Sequence, residues 1–95
     1  MRLVLAPLAS SDLDEIEIYA IETWGPRQSA AYLTDLFDAF DLILDNQELG
    51  ALRPDLAENV RALPVREHVV YYRVRPGVCE IVRVLHRRRH VEPEF

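Results

Sequence analysis

The sequence predicts an α+β domain of order β-α-α-β-β-β, a helical hairpin packed on one face of a small, mainly antiparallel sheet. Three observations point there. Two helical periodicities follow one another and meet at Gly25-Pro26; from Val60 the apolar period shortens to that of strands; and Pro76-Gly77 separates two strand-like runs. Ninety-five residues bury only about 60 to 65% of their unfolded surface and cannot be split into two cores, so residues 1–95 are read as a single domain.

In chain order, residues 2–6 read as a short strand stopped by Pro7, which lacks an amide hydrogen for a ladder. Ser11 and Asp14 have capping-box spacing, so a helix is expected from Ser10 or Ser11 with acids in its first turn. Its core stripe is Leu13, Ile16, Ala20 and Trp24. Pro26 suits the first turn of a second, longer helix, whose apolar positions are Ala30, Leu33, Leu36, Phe37, Phe40, Ile43 and Leu44. Leu49-Gly50 and Pro54 mark its end. The short Gly25-Pro26 link folds the helices back as an antiparallel pair.

Strands are then expected at Arg61-Ala62-Leu63, from Glu67 to Val74 and from Val78 to His86. With Arg75 opposite Val78, the hairpin register sets Arg73 against Glu80, Tyr72 against Ile81, Tyr71 against Val82 and Val70 against Arg83, with a one-residue slip as the alternative because a type II turn fits hairpin twist poorly. Its faces are then Val70, Tyr72, Ile81 and Leu85 on one side, and Val69, Tyr71, Val82 and Val84 on the other. Only one face can rest on the helices, which leaves the second to a partner, a ligand or a strand edge. Residues 91–95 show no period and read as a loose end.

Composition excludes several functions. All eleven basic residues are arginine, so no lysine can act as a base, form a Schiff base or anchor phosphate. Residues 1–59 carry a net charge of −9 and residues 60–95 a net of +4, which suggests a dipolar molecule unless the halves neutralise each other within the fold. Cys79 is the single cysteine, which excludes an internal disulfide and a thiolate metal cluster. No apolar run reaches the ~20 residues of a membrane span, and Pro7 interrupts any secretory leader, so no membrane association and a cytoplasmic location are expected.

Few residues are candidates for chemistry. His86-Arg87-Arg88-Arg89-His90 is the densest basic run, and it leaves the last strand either to bind phosphate or carboxylate or to stand as a solvated strand end. His68 and His86 fall near one end of the hairpin but on opposite faces, which argues against an acid and base pair. Arg61 and Arg83 lie in apolar strands and need acceptors, for which structural pairing such as with a helix carboxylate is expected. These two arginines and His68 are therefore read as structural polar residues. No local histidine pair supports a metal, and no cofactor is expected.

Certain residues together resemble the ParE toxins of the RelE/ParE superfamily. They are Asp12-Leu13, Ile16, Tyr19, Trp24-Gly25, Gln28, Tyr32, Leu36, Leu49-Gly50, Arg53-Pro54 and Arg61, then His68-Val69-Val70-Tyr71-Tyr72-Arg73 and Ile81-Val82-Arg83-Val84-Leu85-His86. The resemblance runs from about residue 3 to residue 88. It implies the toxin of a type II toxin-antitoxin system, acting on DNA gyrase and neutralised by a ParD-like antitoxin, with no sequence-specific nucleic-acid binding of its own. Relatives of the RelE branch are ribosome-dependent messenger-RNA endonucleases that use lysines, arginines and a late tyrosine. This chain has no lysine and no tyrosine after Tyr72, so catalytic residues are not expected, and a RelE-type endonuclease is the alternative. The expected target contacts are His86, Arg87, Arg88 and Arg89. The expected antitoxin contacts are Ile18, Ile21 and Leu42 on the helices, with Val69, Tyr71, Val82 and Val84 on the open sheet face.

Overall fold

The computed structural model describes residues 1–92, so Pro93, Glu94 and Phe95 of the expected loose end lie outside the described residues. Its elements are β1 (Arg2–Leu5), α1 (Pro7–Trp24), α2 (Pro26–Asp45), β2 (Ala51–Leu52), β3 (Val60–Val65), β4 (His68–Arg75) and β5 (Val78–His86). The sheet order is β1-β5-β4-β3-β2; β1 runs parallel to β5 and the other neighbours are antiparallel. The α+β layout is the expected one. It gains a strand, β2, whose two residues at the sheet edge are too short to carry a period.

The first helix starts earlier than Ser10. Pro7 occupies its first turn, where a missing amide hydrogen costs nothing, and Ala6 supplies no side-chain cap. Ser11 and Asp14 are therefore inside the helix, and its first turn holds no acid. Leu13, Ile16 and Ala20 are buried as a stripe, but Trp24 is 42% exposed at the helix end. On α2 the buried stripe is Tyr32, Leu36, Ala39, Phe40 and Ile43, with Leu33 and Leu44 partly covered; Ala30 and Phe37 are exposed. Gly25 alone links the helices. Its φ of 90° is open to glycine without strain, its amide caps α1 on the Ile21 carbonyl at 2.9 Å, and its carbonyl accepts from Ser29 at 3.0 Å to start α2.

Between the helices and the sheet lies the main core, in which Leu36, Ile43, Val70, Tyr72, Cys79 and Ile81 are fully buried. Burial pushes the Cys79 thiol pKa up, which holds it as a neutral thiol. Tyr72 also ties the end of α2 to the sheet: its hydroxyl donates to the Gln47 carbonyl at 2.8 Å and accepts the Gly50 amide at 2.8 Å. Gly50 is required by that approach, since a Cβ there would lie 2.8 Å from a Tyr72 ring carbon.

The β4–β5 register holds from Arg75–Val78 through Arg73–Glu80 to Tyr72–Ile81, then shifts. Tyr71 faces Arg83 rather than Val82, Val70 faces Val84, and His68 faces His86. The register steps over Val82, a β-bulge, and every later side chain changes sides. Val84 accordingly joins the helix-facing core at 2% exposure, while Leu85 turns to the other face; both are the reverse of the expected assignment. That other face is not left bare. Leu56, from the segment between β2 and β3, closes a second cluster with Val60, Ala62, Tyr71 and Leu85, and Val91 packs against its edge.

Candidate functional site

The end of β5 is assembled by the bulge. His86 and His68 lie on one face, not on opposite faces, with ring centroids 5.5 Å apart at a nearly perpendicular angle. His68 is half-buried, and its Nδ1 lies 2.6 Å from the Tyr32 hydroxyl of α2. That hydroxyl accepts the Glu67 amide at 3.1 Å and finds in Nδ1 an acceptor for its own proton, an assignment from the hydrogen-bond network under which the imidazole keeps its hydrogen on Nε2. Burial, and secondarily the neighbouring His86, lower the His68 pKa and favour the neutral ring. His86 is exposed, and its Nδ1 accepts the Arg88 amide at 3.2 Å; the neutral ring again carries its hydrogen on Nε2.

The basic run turns back immediately after the strand. Arg89 donates its amide to the His86 carbonyl at 2.9 Å, and Arg87 donates to the Glu67 carbonyl at 2.8 Å and, through its guanidinium, to the Glu67 carboxylate at 2.6 Å. The Arg87 guanidinium holds the Glu67 carboxyl below its ordinary pKa. His86 to Arg89 are all exposed, but Arg87 is committed to Glu67. A cavity of about 390 Å³ opens between α1 and this strand end, lined by Asp12, Glu15, Ile16, Tyr19, Val84, Leu85, His68, His86 and Arg89.

Asp12 in the wall of this cavity belongs to a buried ion pair. Arg83 donates through Nε and one terminal nitrogen to the two Asp12 carboxylate oxygens at 2.7 and 2.9 Å, and the Val84 amide donates to the same carboxylate at 3.0 Å. Arg61 is satisfied by carbonyls instead, chiefly that of Gly50 at 2.7 Å. Beside the cavity runs a chain of rings, Tyr19–Trp24–Tyr32–His68–His86, with successive centroids 5.5 to 6.0 Å apart. Arg66 lies over Tyr32 at 5.2 Å and pairs with Asp35 at 2.6 Å. Among the described residues no group of three His, Cys, Asp or Glu side chains is placed to hold a metal ion.

A second surface is apolar. Ile18, Ile21 and Leu42 stand 57, 43 and 56% exposed on the helical hairpin. Ile18 is half a turn away from the buried Leu13, Ile16 and Ala20 stripe, so no rotation of α1 buries both. Of the expected contacts on the sheet, Val69 and Val82 are half-covered, Tyr71 is buried with Leu56 in the second cluster, and Val84 lies inside the main core. Tyr71 and Val84 thus offer no surface, because the segment over the far face covers one and the bulge inverts the other.

Comparison with known proteins gives these surfaces a family. The family model of the ParE toxin of type II toxin-antitoxin systems, parDE, matches residues 3–91. The chain belongs to the ParE toxin family. It is 34% identical over 92 residues to Toxin ParE1 of Mycobacterium tuberculosis, covering 96% of this chain and 94% of that one. It is 36% identical over 83 residues to Toxin ParE1 of Caulobacter vibrioides, covering 87 and 85%. The fold is also that of a solved chain from the chromosomal ParDE toxin-antitoxin system of P. aeruginosa, with a TM-score of 0.79, 24% identity and coverage of 90 and 95%.

Several features of this ParE-family site are not signalled by residue type alone. Asp12 reads in sequence as one more acid at a helix start, yet it is 6% exposed and holds Arg83. Its signal is the apolar setting of Arg83, which demands a carboxylate without saying which. Tyr32 reads as one more helix residue and becomes the partner of His68 only through the crossing of α2 over β4.

Proposed function

We propose that this toxin acts by binding DNA gyrase, stabilising the cleaved-DNA state through higher affinity for it, and is silenced by a ParD-like antitoxin. Membership of the ParE family supports this, and the observation that carries it is the separation of two unlike surfaces. The exposed His86 to Arg89 end of β5 faces the target, while Ile18, Ile21 and Leu42 on the helical hairpin give an apolar segment of antitoxin its footing. The P. aeruginosa structure bearing the same fold belongs to a paired ParDE system, which supports an antitoxin partner here. Binding without bond cleavage suits a chain with no lysine and with Nδ1 of each paired histidine already engaged.

The test is a supercoiling assay with purified gyrase. Inhibition with accumulation of cleaved DNA, relieved by the antitoxin, is the expected result; none at large excess of toxin removes gyrase as the target.

The contact of His68 with His86 favours one other reading, a RelE-type endonuclease in which these rings supply acid and base. That reading requires codon-positioned cuts in messenger RNA on ribosomes, abolished by alanine at both histidines.

A further inference from the structure

We infer that the cavity between α1 and the end of β5 is a receptor for a phosphate oxyanion, held by the Nε2–H groups of His68 and His86 and by the guanidinium of Arg89. The inference rests on reading this strand end as the target-facing part, and it names the chemical group that part takes hold of.

Tautomers carry the argument. Each ring spends its Nδ1 lone pair on a donor from the fold, the Tyr32 hydroxyl for His68 and the Arg88 amide for His86. The hydrogen-bonding capacity left to the pair is therefore two N–H donors and no acceptor, on rings 5.5 Å apart in one cavity wall. Two donors of this kind repel a cation and suit a group with several acceptor oxygens. Arg89 lines the same cavity and forms no ion pair among the described residues, in contrast to Arg87, which Glu67 holds.

The acids of the cavity do not cancel this arrangement. Asp12 is neutralised by the bidentate Arg83 and by the Val84 amide. Glu15 is the acid left at the rim, and it opposes anion binding from an exposed position where water screens it. Tyr19, 60% exposed on the α1 side of the cavity, offers an aromatic surface to a base attached to the phosphate. A nucleotide phosphate fits these groups. It can be the terminal phosphate of a free nucleotide or an internal phosphodiester of a single strand, with no demand on sequence.

The experiment is an NMR titration of the full chain, following the imidazole nitrogens and their attached hydrogens at a pH where both rings are neutral. The probes are inorganic phosphate, a 5′-mononucleotide and a dinucleotide containing one internal phosphodiester. Saturable displacement of both His68 and His86 signals is expected; response to the mononucleotide alone assigns a terminal phosphate, and response to both assigns the internal diester as a ligand. His86→Ala and Arg89→Ala, both at exposed positions, should each weaken binding about tenfold. Glu15→Gln should tighten it. Arg75→Ala, which removes the same charge at the far end of the hairpin, should leave it unchanged. Absence of saturation, an Arg75 effect as large as that of Arg89, or a Glu15→Gln variant that binds no better would each overturn the receptor. The gyrase assay fails separately: phosphate binding without gyrase inhibition removes the target reading and leaves the receptor, and the opposite result removes the receptor alone.

Discussion

Arg83 and Asp12, 71 residues apart in the chain, meet as a bidentate ion pair with side chains only 11 and 8% exposed. The pair joins the first helix to the last strand, so it closes the fold at the place where the basic strand end begins. Removing one partner leaves the other charged and buried. Asp12→Ala is therefore expected to cost about 3 to 5 kcal/mol in denaturant unfolding. An apolar replacement of both residues should recover part of that loss but remain about 1 to 3 kcal/mol short, because the Val84 amide then loses its acceptor. Full recovery would show that the amide bond contributes nothing.

At Gly50 the expected effect is steric. The φ angle there needs no glycine, but alanine would press on the Tyr72 ring, so Gly50→Ala should cost about 1 to 3 kcal/mol. Tyr72→Phe removes a hydroxyl bonded to both Gly50 and Gln47 and should cost about as much, roughly 1 to 3 kcal/mol. Urea midpoints of the two variants within error of the parent would contradict this account of the α2-to-sheet tie.

Stability should also depend on His68 through pH. Burial, then the nearby His86, lower its folded pKa below the ordinary value of about 6.5, so the unfolded chain binds more protons in this window. The contribution is complete above about 6.5 and is lost as pH falls through that value toward the lower folded one. The titratable groups that act on His68 are His86, Glu67 and Asp12. Thermal midpoints measured across this range should decline with acidification in the parent and decline less in His68→Gln. Parallel profiles would remove His68 as the cause.

Antitoxin binding separates surface from core. Ile18→Ser and Leu42→Ser should leave stability within about 0.5 kcal/mol, since both side chains are exposed, yet each should weaken antitoxin binding at least about tenfold. Val84→Ala is expected to behave in the opposite way, losing stability through a core cavity. Calorimetric titration with the antitoxin, paired with unfolding curves, distinguishes the two classes.

Much of the fold is legible in the amino-acid order because local chemistry and long-range packing agree there. Gly25-Pro26 both ends one helix and starts the next, and the Arg73–Glu80 pairing follows from the Pro76-Gly77 turn. Legibility stops where two readings of one residue compete. Pro7 fits a strand end and a helix start equally, and the parallel pairing of β1 with β5 leaves room for the second. The bulge is less visible still, since Val82-Arg83-Val84 alternates like a regular strand and the shift falls where Arg83 meets Asp12, a contact 71 residues away in the chain. The sides of Val84 and Leu85 and the meeting of the two histidines follow from that one step, while the burial of Tyr71 follows from the Leu56 segment that covers the far face.

The residue that the ladder skips, Val82, is where β5 can lose length without changing its register. Deleting Val82 itself would leave Ile81 opposite Tyr72 and Arg83 opposite Tyr71, closing the bulge into a regular ladder in which Val84, the two imidazoles and the Arg83–Asp12 pair keep their sides, whereas losing a paired residue on either side would re-phase the strand. Natural variation in the number of residues should therefore accumulate at Val82, in the Arg53 to Asn59 segment or at the Pro76-Gly77 corner, and elsewhere in β5 substitution, not insertion, should be how descendants of this chain retune their grip.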